Sequence, residues 1–383
     1  MSVTTPRGFR AAGVCAGLKP SGKDDLALVV NDGPQQYAAG RFTGNRVKAA
    51  PVLWSEQVLR TGSLRAVILN SGGANACTGP DGFADTHRTA EAVATALDVG
   101  AIGVAVCSTG LIGERLAMDK ITGAIPGLVG ALSPAGGQGA ARAIMTTDTV
   151  PKQAAYEGDG WSIGGMAKGA GMLAPGLATM LVVITTDAVV APEALDVELE
   201  RACSVSFDRI DSDGCMSTND TVLLLSSGAS GVTVDSDEFA AALAGVCLDL
   251  ALQLMDDAEG ASHTIAITVH HAAEVDDAVE VGRAVARSNL LKCAIFGRDP
   301  NWGRVLAAIG TTGAVFEPDA LDVSFNGVQV CRSGGIGEPR SLVDLTPRAV
   351  RIDIDLHAGA AEATIWTNDL TYDYVKENAE YST

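Results

Sequence analysis

The sequence predicts an α/β or α+β fold built from layered sheets and helices. Three observations carry that expectation. Apolar runs of strand length are interspersed with longer stretches of helical period. Apolar residues make up 47% of the 383 positions, enough to bury real cores and to exclude whole-chain disorder. The 44 glycines, beside 4% aromatics, favour close backbone packing and many turns over an aromatic-rich sandwich. Length suggests two or three domains at about 150 residues each.

In chain order, strands are expected at Leu26–Val30, Ala66–Asn70, Ile102–Cys107, Met180–Thr186 and Val222–Ser226. Four more follow at Thr264–Val269, Val323–Phe325, Val350–Asp355 and Ala363–Trp366. Each is a short run rich in β-branched or other apolar residues. Helices are expected at Thr86–Leu97, Pro192–Phe207, Asp237–Met255 and Asp276–Ser288. The third is clearest: Phe239, Leu243, Val246, Leu250 and Leu254 recur on one face. Asp235, three residues before Glu238, supplies a capping start. Two segments, Gly123–Gly139 and Gly158–Gly176, read as glycine-rich. Beyond about Asp319 short strands and turns suggest a smaller C-terminal unit.

The net charge of −19 disfavours a nucleic-acid partner, and no basic patch is evident along the sequence. The run Met180–Ile184 is far too short to span a bilayer. Met1–Cys15 lacks an apolar signal core, so the expectation is a cytoplasmic protein with no membrane contact. No two of the eight cysteines are two residues apart, so they read as small buried hydrophobes. His270 and His271 should point to opposite faces of a strand, and no metal site is expected.

Several short motifs have plain readings. Gly160-Trp161-Ser162-Ile163-Gly164 fits the nucleophile-elbow pattern, but Tyr156–Gly160 is turn-like and Gly164–Gly171 is too glycine-rich for the required helix. Gly17-Leu18-Lys19-Pro20-Ser21-Gly22-Lys23 imitates a P-loop, yet Asp24 replaces the magnesium-binding hydroxyl and a strand follows. Asp256, Asp257 and Glu259 read as a solvated helix end.

Lys168–Met180 differs from these. Small residues and Pro175 hold an irregular backbone just before an apolar strand. A threonine hydroxyl becomes a good nucleophile beside a neutral amine. A chain-terminal threonine supplies that amine itself, with an ordinary pKa of about 7.7–8.0. Thr179 would qualify only if the Ala178–Thr179 bond were cut, which an N-to-O acyl shift could do. Otherwise a threonine opening a strand is an ordinary β-branched strand former.

Taken together, spaced motifs resemble the ornithine acetyltransferase family (glutamate N-acetyltransferase of arginine biosynthesis), nearly end to end. They are Asn70–Gly79, Ser108–Gly113, Met145–Thr149, Lys168–Met180, Ser217–Thr221, Glu259–Ala261 and Asp299–Arg304. The commoner family pattern has Asn-Met at Gly176-Leu177, Asn at Gly73, and Gly-Glu-Gly-Ala-Thr-Lys at Ala258–His263.

The resemblance implies an α/β fold, an α-β-β-α type sandwich shared by two cleaved chains with a smaller C-terminal domain at about 319–383. It implies self-cleavage at Ala178–Thr179 into an α chain (1–178) and a β chain (179–383), held together as α2β2. Thr179 would take acetyl from N-acetylornithine and pass it to glutamate by a ping-pong route without an external cofactor. Some members also accept acetyl-CoA as donor. The Thr109 hydroxyl and the Gly110 N–H match the family's oxyanion donors. Thr146, Lys168, Thr179, Glu259, Asn378 and Thr383 match its substrate-binding positions. From the residues alone, Thr109-Gly110 would be a turn, Lys168 a surface lysine, Glu259 a helix-end carboxylate and Tyr374–Thr383 a fraying tail. A self-processing aminopeptidase or amidase, using water as acceptor, is the alternative chemistry.

Thr179→Ala is expected to leave one full-length band on a denaturing gel and no acetyl transfer. Two bands from that variant would remove Thr179 from its assigned role.

Overall fold

The computed structural model describes residues 2–174 and 180–380. Along the chain lie β1 (Phe9–Val14), β2 (Leu26–Asn31), β3 (Tyr37–Phe42), α1 (Ala50–Leu59), β4 (Ala66–Asn70), α2 (Gly79–Leu97), β5 (Val104–Ser108), α3 (Met118–Gly130) and α4 (Gly137–Ala143). Then come β6 (Lys152–Glu157), β7 (Ser162–Lys168), β8 (Leu181–Thr186), α5 (Pro192–Ser204), β9 (Thr221–Ser226), α6 (Ser236–Asp256), β10 (Thr264–Ala272) and α7 (Val275–Ala286). The chain ends with α8 (Asn289–Phe296), α9 (Trp302–Ile309), β11 (Asp322–Phe325), β12 (Val328–Arg332), β13 (Gly335–Ile336), β14 (Ala349–Asp355), β15 (Ala361–Asn368) and α10 (Tyr372–Glu380).

Two sheets stack. The first has the order β1-β2-β4-β5 and the second β3-β9-β8-β7-β6. Side-chain alternation along the second sheet shows how. Leu181, Val183, Leu223 and Leu225 join the core of the first sheet, with Leu28 and Ile68. Their neighbours Val182, Ile184, Val222 and Leu224 face the opposite way, into a core shared with α5 and α6. Val93 of α2 and Ile121, Ile125 and Leu128 of α3 pack on the first sheet. The layers therefore run helix, sheet, sheet, helix, an α/β sandwich. The edge of β5 is covered by α1: Trp54 Nε1 and Ser55 Oγ donate to the carbonyls of Val104 and Val106.

The third sheet, β13-β12-β11-β14-β10-β15, has its own core with α7, α8 and α9. This sheet takes in strands on both sides of position 319. β10 pairs in parallel with β14 and antiparallel with β15, so the C-terminal layer starts at Thr264. The pairing joins segments about eighty residues apart, which a local change in pattern does not register.

The helix with the clearest period is α6. Asp235 caps it by accepting from the N–H groups of Asp237 and Glu238. By length and composition alone α6 could cross a membrane. Its apolar face, from Phe239 to Met255, instead lies in the second core. Gly165 of β7 permits the contact, since a Cβ there would sit 2.9 Å from Leu250 Cδ1. Leu250→Ala is expected to cost about 2–5 kcal/mol. A lower urea midpoint for the variant than for the parent chain is the measurement.

Candidate active site

The two stacked sheets bring their strand ends to one place. Thr109 follows β5 directly and is buried. Its N–H donates to Asn70 O, and its carbonyl accepts from Gly73 N–H. Gly110 turns away at φ +132°, and an added Cβ would lie 2.8 Å from Gly73 N. Only glycine fits both constraints. The Gly110 N–H finds no acceptor among the described residues. Lys168 ends β7, is 2% exposed, and donates from Nζ to Thr109 Oγ1 at 3.4 Å.

Asp148 organises the charges. Its Oδ1 accepts from Lys152 Nζ at 2.6 Å and from Gly169 N–H at 2.7 Å. Its Oδ2 accepts from Thr146 N–H at 2.9 Å. Lys152 is fully buried and also reaches Asp257 Oδ2 at 2.6 Å. Burial alone would raise the Asp148 carboxyl. Lys168 and Lys152, with the bonds from Lys152 and Gly169, hold it down at about 2. Burial pushes the Lys168 ammonium below its usual value, and Asp148 pulls it back up.

The far wall comes from α6's exit and the C-terminal helix. Glu259 N–H donates to Ala170 O, which sets the carboxylate against Gly171. A Cβ on Gly171 would come within 2.6 Å of Glu259 Oε2. Asn378 of α10 donates to that same oxygen at 3.1 Å. Asn219 ties the floor together, donating to Ala74 O and Ser108 O at 2.7 and 2.8 Å. Asp220 accepts from Met180 N–H at 3.3 Å, and its other oxygen has no partner among the described residues. Burial holds that carboxyl well above the usual range. Leu181 pairs with Lys168, so the chain enters β8 at the sheet end that carries Lys168.

Thr109, Gly110, Thr146, Lys168, Glu259 and Asn378 thus line one cavity of about 90 Å3. Ala178, Thr179 and Thr383 lie outside the described residues. Lys168 is buried rather than a surface lysine, because Asp148 offsets its charge. The tail forms α10 through Glu380 rather than fraying, because Thr371 Oγ1 accepts from Tyr374 N–H and Asn378 reaches Glu259. Neither Asp148, Asn219 nor Asp220 was assigned a role in the sequence, although each lies within a quoted motif. Nothing in a lone Asp between threonines signals a buried hub.

Other sequence expectations resolve elsewhere. Ser162 sits inside β7, and Gly17–Lys23 precedes β2, so neither forms an elbow or a P-loop. Cys107, Cys203, Cys247 and Cys331 are buried, but Cys15, Cys77, Cys215 and Cys293 are exposed, which corrects the reading of the cysteines as buried. At the β10 bulge, His271, Asp355 and His357 place donor atoms within 4.8 Å of one another, a group that sequence spacing did not show.

A hydroxyl and a backbone N–H side by side, backed by a buried ammonium, can stabilise negative charge on a carbonyl oxygen, as acyl-transfer chemistry requires. The chain belongs to the ArgJ family, which it matches over residues 10–383. It is 66% identical over 382 residues to the arginine biosynthesis bifunctional protein ArgJ of Streptomyces coelicolor, covering 100% of both chains. To the protein of that name from Mycobacterium leprae it is 58% identical, covering 99% of this chain and 95% of the other. A solved ornithine acetyltransferase from Mycobacterium tuberculosis, complexed with ornithine, is 64% identical. That match covers 47% of this chain and 96% of the solved one, with a TM-score of 0.45.

Asp148 has a folded pKa below its unfolded one, so its stabilisation is present above pH 3.8 and is lost as pH falls toward about 2. Asp148→Asn is expected to flatten that acid limb. It should also cost about 3 kcal/mol at pH 7, because Lys152 and Lys168 lose a counter-charge. Urea unfolding between pH 2 and pH 7 checks both.

Proposed function

We propose that this chain is a glutamate N-acetyltransferase of arginine biosynthesis. It cuts itself between Ala178 and Thr179, giving fragments of 178 and 205 residues that stay associated as α2β2. The freed α-amine of Thr179 takes the hydroxyl proton as that oxygen attacks the acetyl carbonyl of N-acetylornithine. Thr109 and Gly110 receive the negative charge on the tetrahedral oxygen, and Lys168 supports Thr109. Ornithine leaves, its amino groups held by Glu259 and Asn378. Glutamate then takes the acetyl group from the Thr179 ester. Thr146 and Lys168 meet substrate carboxylates. No external cofactor or metal takes part, and acetyl-CoA serves as a second acetyl donor.

The observation that carries this reading is the convergence of six residues, drawn from five separate segments, on one cavity. Membership of the ArgJ family over nearly the whole chain supports it. So do relatives named as bifunctional arginine biosynthesis proteins and a related solved protein that holds ornithine.

Incubating the purified protein with N-acetylornithine and glutamate is expected to yield ornithine and N-acetylglutamate in equal amounts, with no net acetate. Acetate release that ignores glutamate would instead mark a self-processing amidase. Intact mass should give two fragments that meet at 178/179.

A further inference from the structure

A group of metal-ligating side chains lies away from the cavity, at the far end of the third sheet. β10 starts at Thr264, shortly after Glu259, and runs nine residues to Ala272. At the usual strand rise its end lies roughly 26 Å from its start. There the pairing with β15 shifts register between Val269 and Ala272, and His271 sits in the bulge at φ +49°. The turn between β14 and β15 carries His357 at φ +50°. The two turns are tied through one carbonyl. His271 O accepts from the N–H groups of Ala358 and Gly359 at 2.8 and 2.9 Å. Asp355, the last residue of β14, is held by the His357 N–H, which donates to Oδ1 at 2.9 Å.

Donor atoms of His271, Asp355 and His357 lie within 4.8 Å of one another. Both imidazoles turn Nδ1 to the Asp355 carboxylate, His271 at 2.7 Å from Oδ2 and His357 at 3.3 Å from Oδ1. Counting protons leaves one of these contacts incomplete. A neutral imidazole carries a single N–H. His357 Nε2 lies 3.0 Å from Asp322 Oδ2, and Asp322 is itself fixed by the Ser333 N–H, which donates to Oδ1 at 2.8 Å. The shorter contact takes the proton, so Nε2–H donates to Asp322 and the Nδ1 lone pair faces a carboxylate oxygen. Two electron-rich atoms so placed call for a cation between them. An outward N–H donated to a carboxylate is also how metal-bound histidines are oriented. No lysine or arginine forms an ion pair with Asp355 or Asp322 among the described residues.

We infer that His271, Asp355 and His357 bind one divalent transition ion, with Asp322 orienting His357. Two imidazole nitrogens and one carboxylate suit Zn2+, Ni2+ or Co2+ rather than Mg2+ or Ca2+, which take oxygen ligands. Both histidines are exposed, so water completes the coordination. The ion clips the bulged end of β10 to the β14–β15 turn. Its place at the far end of β10 makes it a structural site, outside the acyl-transfer machinery.

The test uses the full chain without a histidine tag, stripped with EDTA and dialysed. Titration with Zn2+ in competition with a chromophoric chelator is expected to show one ion bound per 383-residue chain. His271→Gln and His357→Gln should each weaken that binding by about tenfold or more, and Asp322→Ala by about 10–100-fold. His270→Gln should leave it unchanged, since that ring contacts Asp353 and Glu362 instead. Excess Zn2+ should raise the thermal midpoint of the native chain and not that of the variant lacking both His271 and His357. Absence of stoichiometric binding, or binding that survives the double variant, overturns the inference and leaves His357 as an imidazolium between two carboxylates. Binding weakened as much by His270→Gln as by the other two overturns it as well, since the ion then belongs to surface histidines at large.

Discussion

The site depends on one buried carboxylate, that of Asp148. A charge in this position costs several kcal/mol to desolvate unless its oxygens are occupied. Here Lys152, Gly169 and Thr146 occupy them, and Lys168 lies close enough to lower the carboxyl further. The four groups come from the start of β6, the residue after β7, a loop and the end of β7. Through Lys152 the network reaches Asp257 at the end of α6. One ionic cluster therefore fixes the position of the β7 end, of Thr146 and of the helix exit that carries Glu259. It also sets a carboxylate that acts on Lys168, beside Thr109, against the lowering that burial imposes.

Around that cluster, the backbone makes room where side chains would block it. Gly110 and Gly171 stand where a Cβ would strike Gly73 and the Glu259 carboxylate. Thr109, Gly110 and the Glu259 carboxylate can thus line one small cavity. Asn219 fixes the floor by bonding the loop after β4 to the last residue of β5, so Thr109 and Gly110 do not depend on local loop stiffness.

Much of the fold was legible in the sequence where side chains alone decide burial. Ala66–Asn70 is a strand to the residue, and β8, β9 and α6 fall within one or two residues of expectation. β6 and β7 were hidden because glycines and alanines dilute the apolar signal of Ile163 and Met166. Gly165 receives Leu250, and a side chain at Gly164 would collide with Ser2 O, so close packing removed the apolar signal. α3 was hidden for the opposite reason. Gly123, Gly127 and Gly130 face open space, and its buried set is only Met118, Ile121, Ile125 and Leu128. The convergence of Thr109, Lys168, Glu259 and Asn378 was readable only through family resemblance. No local pattern links residues that sheet stacking brings together from across nearly 270 positions. Asp148 stayed silent because its partners are two lysines whose burial composition does not foretell.

Net charge misleads for a related reason. A value of −19 describes the far field, and it does argue against a phosphate backbone as a long-range partner. Within about 8–10 Å, the screening length at ordinary salt, only nearby groups matter. There Asp148 acts on Lys168 and pairs with Lys152, which also binds Asp257. Burial lowers the Lys19 ammonium most, Asp25 and Asp148 raise it, and Lys168 and Lys23 lower it further. On the other side Glu259 faces Glu377 and Asp373, and the like charge helps to raise the Glu377 carboxyl. A single centre thus meets its surroundings through two local fields of opposite sign.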